Sequence, residues 1–83
     1  MTVIQDTDAL LEQCVTSESK DAVNTMFNAF RLVELRRRAT RSKRMNRRWS
    51  RRVTVRATEL IGREPARLLR AVARDQVKAM LGE

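Results

Sequence analysis

Ala22-Val23-Asn24-Thr25-Met26-Phe27-Asn28-Ala29-Phe30-Arg31-Leu32-Val33-Glu34-Leu35 is the stretch whose spacing decides the fold. Ala22, Val23, Met26, Phe27, Phe30 and Val33 recur at intervals of three and four, which puts them on one face of an α-helix. Asp21, Asn24, Asn28 and Arg31 fall largely outside that stripe. Upstream, Thr16-Ser17-Glu18-Ser19 supplies hydroxyls that can cap a new helix, so this helix is expected to begin near Ser19, with Glu18 and Asp21 suited to its first turn. Before it, Asp6 to Val15 reads as a shorter helix. Ala9, Leu10, Leu11 and Val15 are its apolar residues, and Cys14 acts as one more small apolar side chain.

Past Leu35 the apolar pattern fades. Arg36 to Arg52 reads Arg-Arg-Arg-Ala-Thr-Arg-Ser-Lys-Arg-Met-Asn-Arg-Arg-Trp-Ser-Arg-Arg, in which ten of seventeen residues are basic and nine are Arg. No Gly or Pro interrupts it, so a continuous helix is allowed if something relieves the charge. Val53 to Ile61 is β-prone at Val53-Thr54-Val55, but Val53, Ala57, Leu60 and Ile61 also fit a helical face. With no partner strand elsewhere, helix is the expectation. Gly62-Arg63-Glu64-Pro65 is the one clear turn, and Pro65 to Leu81 is the last helix. Leu68, Leu69, Val72, Ala73 and Met80 share one of its faces, opposite Arg63, Arg67, Arg70, Arg74 and Lys78. The stripe of the second helix is expected to pack on Leu68, Leu69, Val72 and Met80, within one chain or across a dimer.

The expected fold is therefore all-α, a small bundle of three to four helices with a long arginine-rich central helix or arm. The 83 residues, with two Gly and one Pro, suit one domain. Charge divides it. Residues 1–34 hold six acids and two bases, residues 35–58 eleven bases and no acid, and residues 59–83 five bases and four acids. An acidic helical head (1–34) precedes a basic segment (35–58) and a C-terminal helical hairpin (59–83). A like-charge block of this density is an interaction segment awaiting a polyanion, or it is disordered. Like charges at i,i+4 oppose a helix there while the flanking helices favour one, which sets the free segment near a helix–coil balance.

The chemistry of catalysis is missing. There is no His and a single Cys, so neither a disulfide nor a recognisable metal set can form. No Gly-rich phosphate loop is present, and the acids are scattered. No enzyme activity, metal or cofactor is expected. Met1 to Asp8 lack the basic residue and apolar run of a secretory signal, and no run of eighteen apolar residues occurs, so a cytoplasmic protein without membrane insertion is expected.

The basic block points to nucleic acid. Arg36, Arg37, Arg38, Arg41, Lys43, Arg44, Arg47, Arg48, Arg51 and Arg52 are the candidate phosphate ligands, because the guanidinium fork bonds phosphate bidentately. On one helix, Arg37, Arg41, Arg44, Arg48 and Arg51 would form a ridge. Asn46 suits an adenine edge, or is an ordinary surface residue. Trp49 suits stacking on an unpaired base, or packs against Met45 and Val53. Thr40, Ser42 and Ser50 offer hydroxyls to phosphate.

Arg36-Arg37-Arg38, the helix-compatible interior and Trp49 thirteen residues on resemble the arginine-rich RNA-binding peptides of lambdoid antitermination proteins. The resemblance covers residues 36–49 and implies RNA as the ligand. Ala57 to Ala71 is loosely similar to a helix-turn-helix, which implies DNA, and reads equally as a plain helical hairpin. The function expected is a nucleic-acid-binding regulator or accessory factor, with DNA and RNA both open and a homodimer compatible. The alternative is a protein-interaction module on a larger machine such as a polymerase or a capsid. A membrane-surface role for residues 65–81 is the weakest reading.

Overall fold

The chain folds into four helices, and the computed structural model describes residues 3–18, 20–40 and 42–83, with side chains from Asp6 onward. They are α1 (Val3–Thr16), α2 (Ala22–Ala39), α3 (Lys43–Ile61) and α4 (Arg63–Met80). No strand occurs among the described residues, so Val53-Thr54-Val55 is helical despite its β propensity. The small all-α bundle read from the sequence is the fold.

Local chemistry sets the breaks. Asp21 caps α2, its Oδ1 accepting from the Asn24 N–H at 3.1 Å. The helix thus starts later than expected; Ser19 itself lies outside the described residues. The basic block is not one helix. α2 stops at Ala39, and Thr40 turns to extended backbone (φ −144°, ψ 146°). The Thr40 hydroxyl accepts from the Ser42 N–H at 3.3 Å. Hydroxyl side chains compete in this way with helical hydrogen bonds, so a helix can end without Gly or Pro.

The second break is shorter than the sequence suggests. Gly62 alone separates α3 from α4, at φ 93°, a conformation that glycine adopts without strain. Its N–H donates to Thr58 O at 3.0 Å and its carbonyl accepts from Ala66 N at 3.1 Å, closing one helix and opening the next. Pro65 falls in the first turn of α4, where backbone N–H groups have no intrahelical acceptor. A one-residue joint is tighter than the three- to four-residue turn of a helix-turn-helix.

α2 and α3 each pack on all three other helices, while α1 and α4 lie apart, without mutual contact among the described residues. The core is mostly aliphatic: Leu11 from α1, Met26, Phe30 and Val33 from α2, Val53 and Ala57 from α3, and Ala66 and Ala73 from α4, with Trp49 beside them. Cys14 is half-buried against it, as a small apolar residue would be, and burial pushes its thiol pKa up.

The expected α2 stripe is buried at Met26, Phe30 and Val33 and half-buried at Phe27, but Val23 is exposed. Of its expected partners on α4, Leu69 is half-buried against the core and the other three are not. Leu68, Val72 and Met80 are exposed at 67%, 48% and 58%, and α4 instead buries Ala66, Ala73 and Val77. The apolar arc of α4 is wider than its contact with the bundle. The contact falls on the edge that carries Ala66, Ala73 and Val77, with Leu69 half-buried against the core.

Candidate functional site

The fold separates the described basic residues of the block into those paired with acids and those that have no ion-pair partner among the described residues. Arg36 is buried, 4% exposed, and its Nε donates to Asp8 Oδ1 of α1 at 2.7 Å. Its Nη1 donates to Asn46 Oδ1 of α3 at 2.6 Å, and Asn46 Nδ2 donates in turn to Thr40 O at 3.4 Å. Arg36 and Asn46, both read as nucleic-acid ligands, are thus engaged in tying α1, α2 and α3 together. Arg38 bonds both Glu34 and Glu83, and Arg52 bonds Glu12 of α1. The Arg52 hydrogen bond, and beyond it the charges of Arg52 and Arg48, hold the Glu12 carboxyl below the usual glutamate range; Arg38 does the same for Glu83. The acidic head is therefore one source of the charge relief that the basic block requires.

Of the two readings of Trp49, base stacking and packing, the structure shows packing. Trp49 is 6% exposed and sits in the core, with the Arg52 guanidinium over its ring at 4.6 Å from the centroid. Trp49, Val53 and Ala57 are four residues apart, so one α-helical face holds all three. A side chain with so little exposure has no free face for a base. The same burial bears on the state of the segment. The like-charge pairs Lys43/Arg47, Arg44/Arg48, Arg47/Arg51 and Arg48/Arg52 together oppose the helix by roughly 1–2 kcal/mol. Burying Val53 alone offsets that with about 1.5–3 kcal/mol, and Trp49 adds a larger area. In the structure residues Lys43–Ile61 are helical, and this burial weighs toward the helix.

Lys43, Arg44, Arg47, Arg48 and Arg51 are exposed on the opposite face of α3, and none has an ion-pair partner among the described residues. At 100° per residue they cover an arc of roughly 140°. The expected ridge is thereby changed. Arg37 belongs to α2, and Arg41 lies outside the described residues. On the α4 side of this face runs a cleft of about 590 Å³. Arg37 of α2, Lys43, Arg47 and Arg51 of α3 and Arg70 of α4 bring five cations to it, with no acid in its lining. Ser50 and Thr54 also line it, and the Thr54 hydroxyl donates to Ser50 O at 2.7 Å. Arg37 is half-exposed and directs one nitrogen, Nη1, at Glu34 from 3.2 Å.

Arg70 falls outside the basic block of the sequence, in a basic row on α4, and joins Arg47 at the cleft only through the fold. Arg74 and Lys78 continue that row into a second recess, where Glu34 and Glu83 temper the charge. Among the described residues no group of His, Cys, Asp or Glu is arranged to hold a metal, and no helix is long and apolar enough to cross a membrane. No protein-family model, curated protein or solved structure matches the chain.

Proposed function

We propose that this protein binds the phosphate backbone of a nucleic acid through the outer face of α3, and that it acts without catalysis as a regulator or accessory factor. One observation carries the reading: Lys43, Arg44, Arg47, Arg48 and Arg51 stand exposed on one helix with no ion-pair partner among the described residues, while Arg36, Arg38 and Arg52 of the same block are paired. Exposed cations held on a rigid helix neutralise phosphates and release condensed counterions, which gives affinity that falls steeply with salt. The acid-free cleft supports the same reading, because Arg37 and Arg70 add guanidinium forks beside the row.

The test is binding of nuclease-treated, full-length protein to a labelled mixed-sequence nucleic acid across a salt series. The expected result is micromolar or tighter binding near physiological salt, weakening steeply as salt rises. Binding to polyglutamate as tight as to nucleic acid would instead favour docking on an acidic protein surface. Absence of binding to any nucleic acid at low salt would overturn the proposal.

A further inference from the structure

We infer that the nucleic acid is duplex DNA and that α3 enters its major groove; this rests on the backbone-binding reading above. The first ground is the burial of the aromatic residues. Proteins that hold single strands stack bases on exposed aromatic side chains. Here Phe30 is 2% and Trp49 is 6% exposed, and Phe27 packs half-buried on the core under Arg31. These are the three aromatic residues of the chain, and none lies on the cationic face. The site has charge but no stacking platform.

The second ground is the shape of the charge. Lys43 and Arg47 form one edge of the α3 face, Arg44 and Arg51 its crest, and Arg48 the other edge. A helix about 10–12 Å across with cations on both edges matches a groove about 12 Å wide with phosphates on both walls. From Lys43 to Arg51 the row is about 12 Å long, the rise of three to four base pairs. Arg37 and Arg70 stand beyond the Lys43/Arg47 edge, across the cleft. They meet the phosphate wall on that side, so the cleft receives the backbone and the crest faces the bases. On the far side Arg52 is held by Glu12 and Trp49, which leaves Arg48 to meet the other wall. The major groove of duplex RNA is deep and narrow and does not admit a helix.

Full-length protein is titrated against labelled duplex DNA, either of its single strands, and duplex RNA of the same sequence at one salt concentration. Duplex DNA is expected to bind about tenfold or more tightly than the other two. A major-groove dye is expected to be displaced from the duplex, and a minor-groove dye retained. Arg70→Gln and Arg48→Gln, on opposite flanks, should each lower the salt slope by about 0.9. Single strands or duplex RNA binding as tightly as duplex DNA, or displacement of the minor-groove dye alone, would overturn this inference and leave backbone binding standing. Failure of all three probes to bind would overturn both.

Discussion

Arg36 Nη1 donates to Asn46 Oδ1 at 2.6 Å, joining α2 to α3. With the Nε bond to Asp8 at 2.7 Å, a single buried guanidinium holds three helices and fixes the angle at which α3 leaves α2. The cationic face of α3 is therefore aimed by an arginine from the same basic block.

Arg36→Gln should destabilise the fold by about 2–3 kcal/mol, since it removes a charged donor and leaves partly buried acceptors unpaired. The partial exposure of Asp8, 33%, keeps the loss below that of a fully buried pair. Arg47→Gln should change stability by less than about 0.5 kcal/mol, because the side chain is exposed and pairs with no acid among the described residues. Urea unfolding of the two variants measures the difference. Equal stability would mean that Arg36 is no more structural than the surface row.

Phe30→Ala should cost about 3–5 kcal/mol, as the ring is 2% exposed and lies among Met26, Val33 and the residues of α3 and α4. Leu68→Ala should cost less than about 0.5 kcal/mol in the monomer, because Leu68 is 67% exposed. Thermal unfolding of both variants checks the pair. A large loss at Leu68, growing with protein concentration, would place that residue in a dimer interface.

The stripe of α2 was legible because Met26, Phe30 and Val33 repeat with the period of the helix that buries them. The face of α4 was less so. Its apolar arc is wide, and periodicity alone does not choose Ala66, Ala73 and Val77 over Leu68 and Val72. The break at Thr40–Ser42 carries no Gly or Pro, and its cause is a side-chain-to-backbone hydrogen bond that competes weakly in sequence terms. Composition marked the candidate site but could not divide it. Arg36 and Arg47 are alike in sequence, and only the positions of Asp8 and Asn46 make one structural and leave the other exposed. Arg70 sits eighteen residues beyond the end of the block and joins the cleft through the fold alone.

Acid should loosen the molecule through the pairs that anchor its ends. The carboxyls of Glu12 and Glu83 are held below the usual glutamate range by hydrogen bonds from Arg52 and Arg38. At mildly acidic pH the unfolded chain takes up protons at these positions before the folded one does, so folding stability rises with pH there. Their contribution is fully present above the ordinary glutamate range and is lost as pH falls through the depressed folded-state values. Glu12→Gln should therefore lower the melting temperature slightly at neutral pH and flatten its decline on acidification. Thermal melts across that range test this, and an unchanged pH profile in Glu12→Gln would dissociate Glu12 from acid unfolding.

If the exposed row of α3, rather than net charge, carries nucleic-acid binding, two variants that remove the same charge will differ: Arg47→Gln/Arg48→Gln on the row, and Arg63→Gln/Arg67→Gln at the start of α4. The measurement is the slope of log Kobs against log salt for each on one duplex. The row variant should lose about two units of slope and bind more weakly, while the α4 variant keeps the wild-type slope. Equal losses in both variants, or a wild-type slope in the row variant, would show that the α3 row does not carry binding.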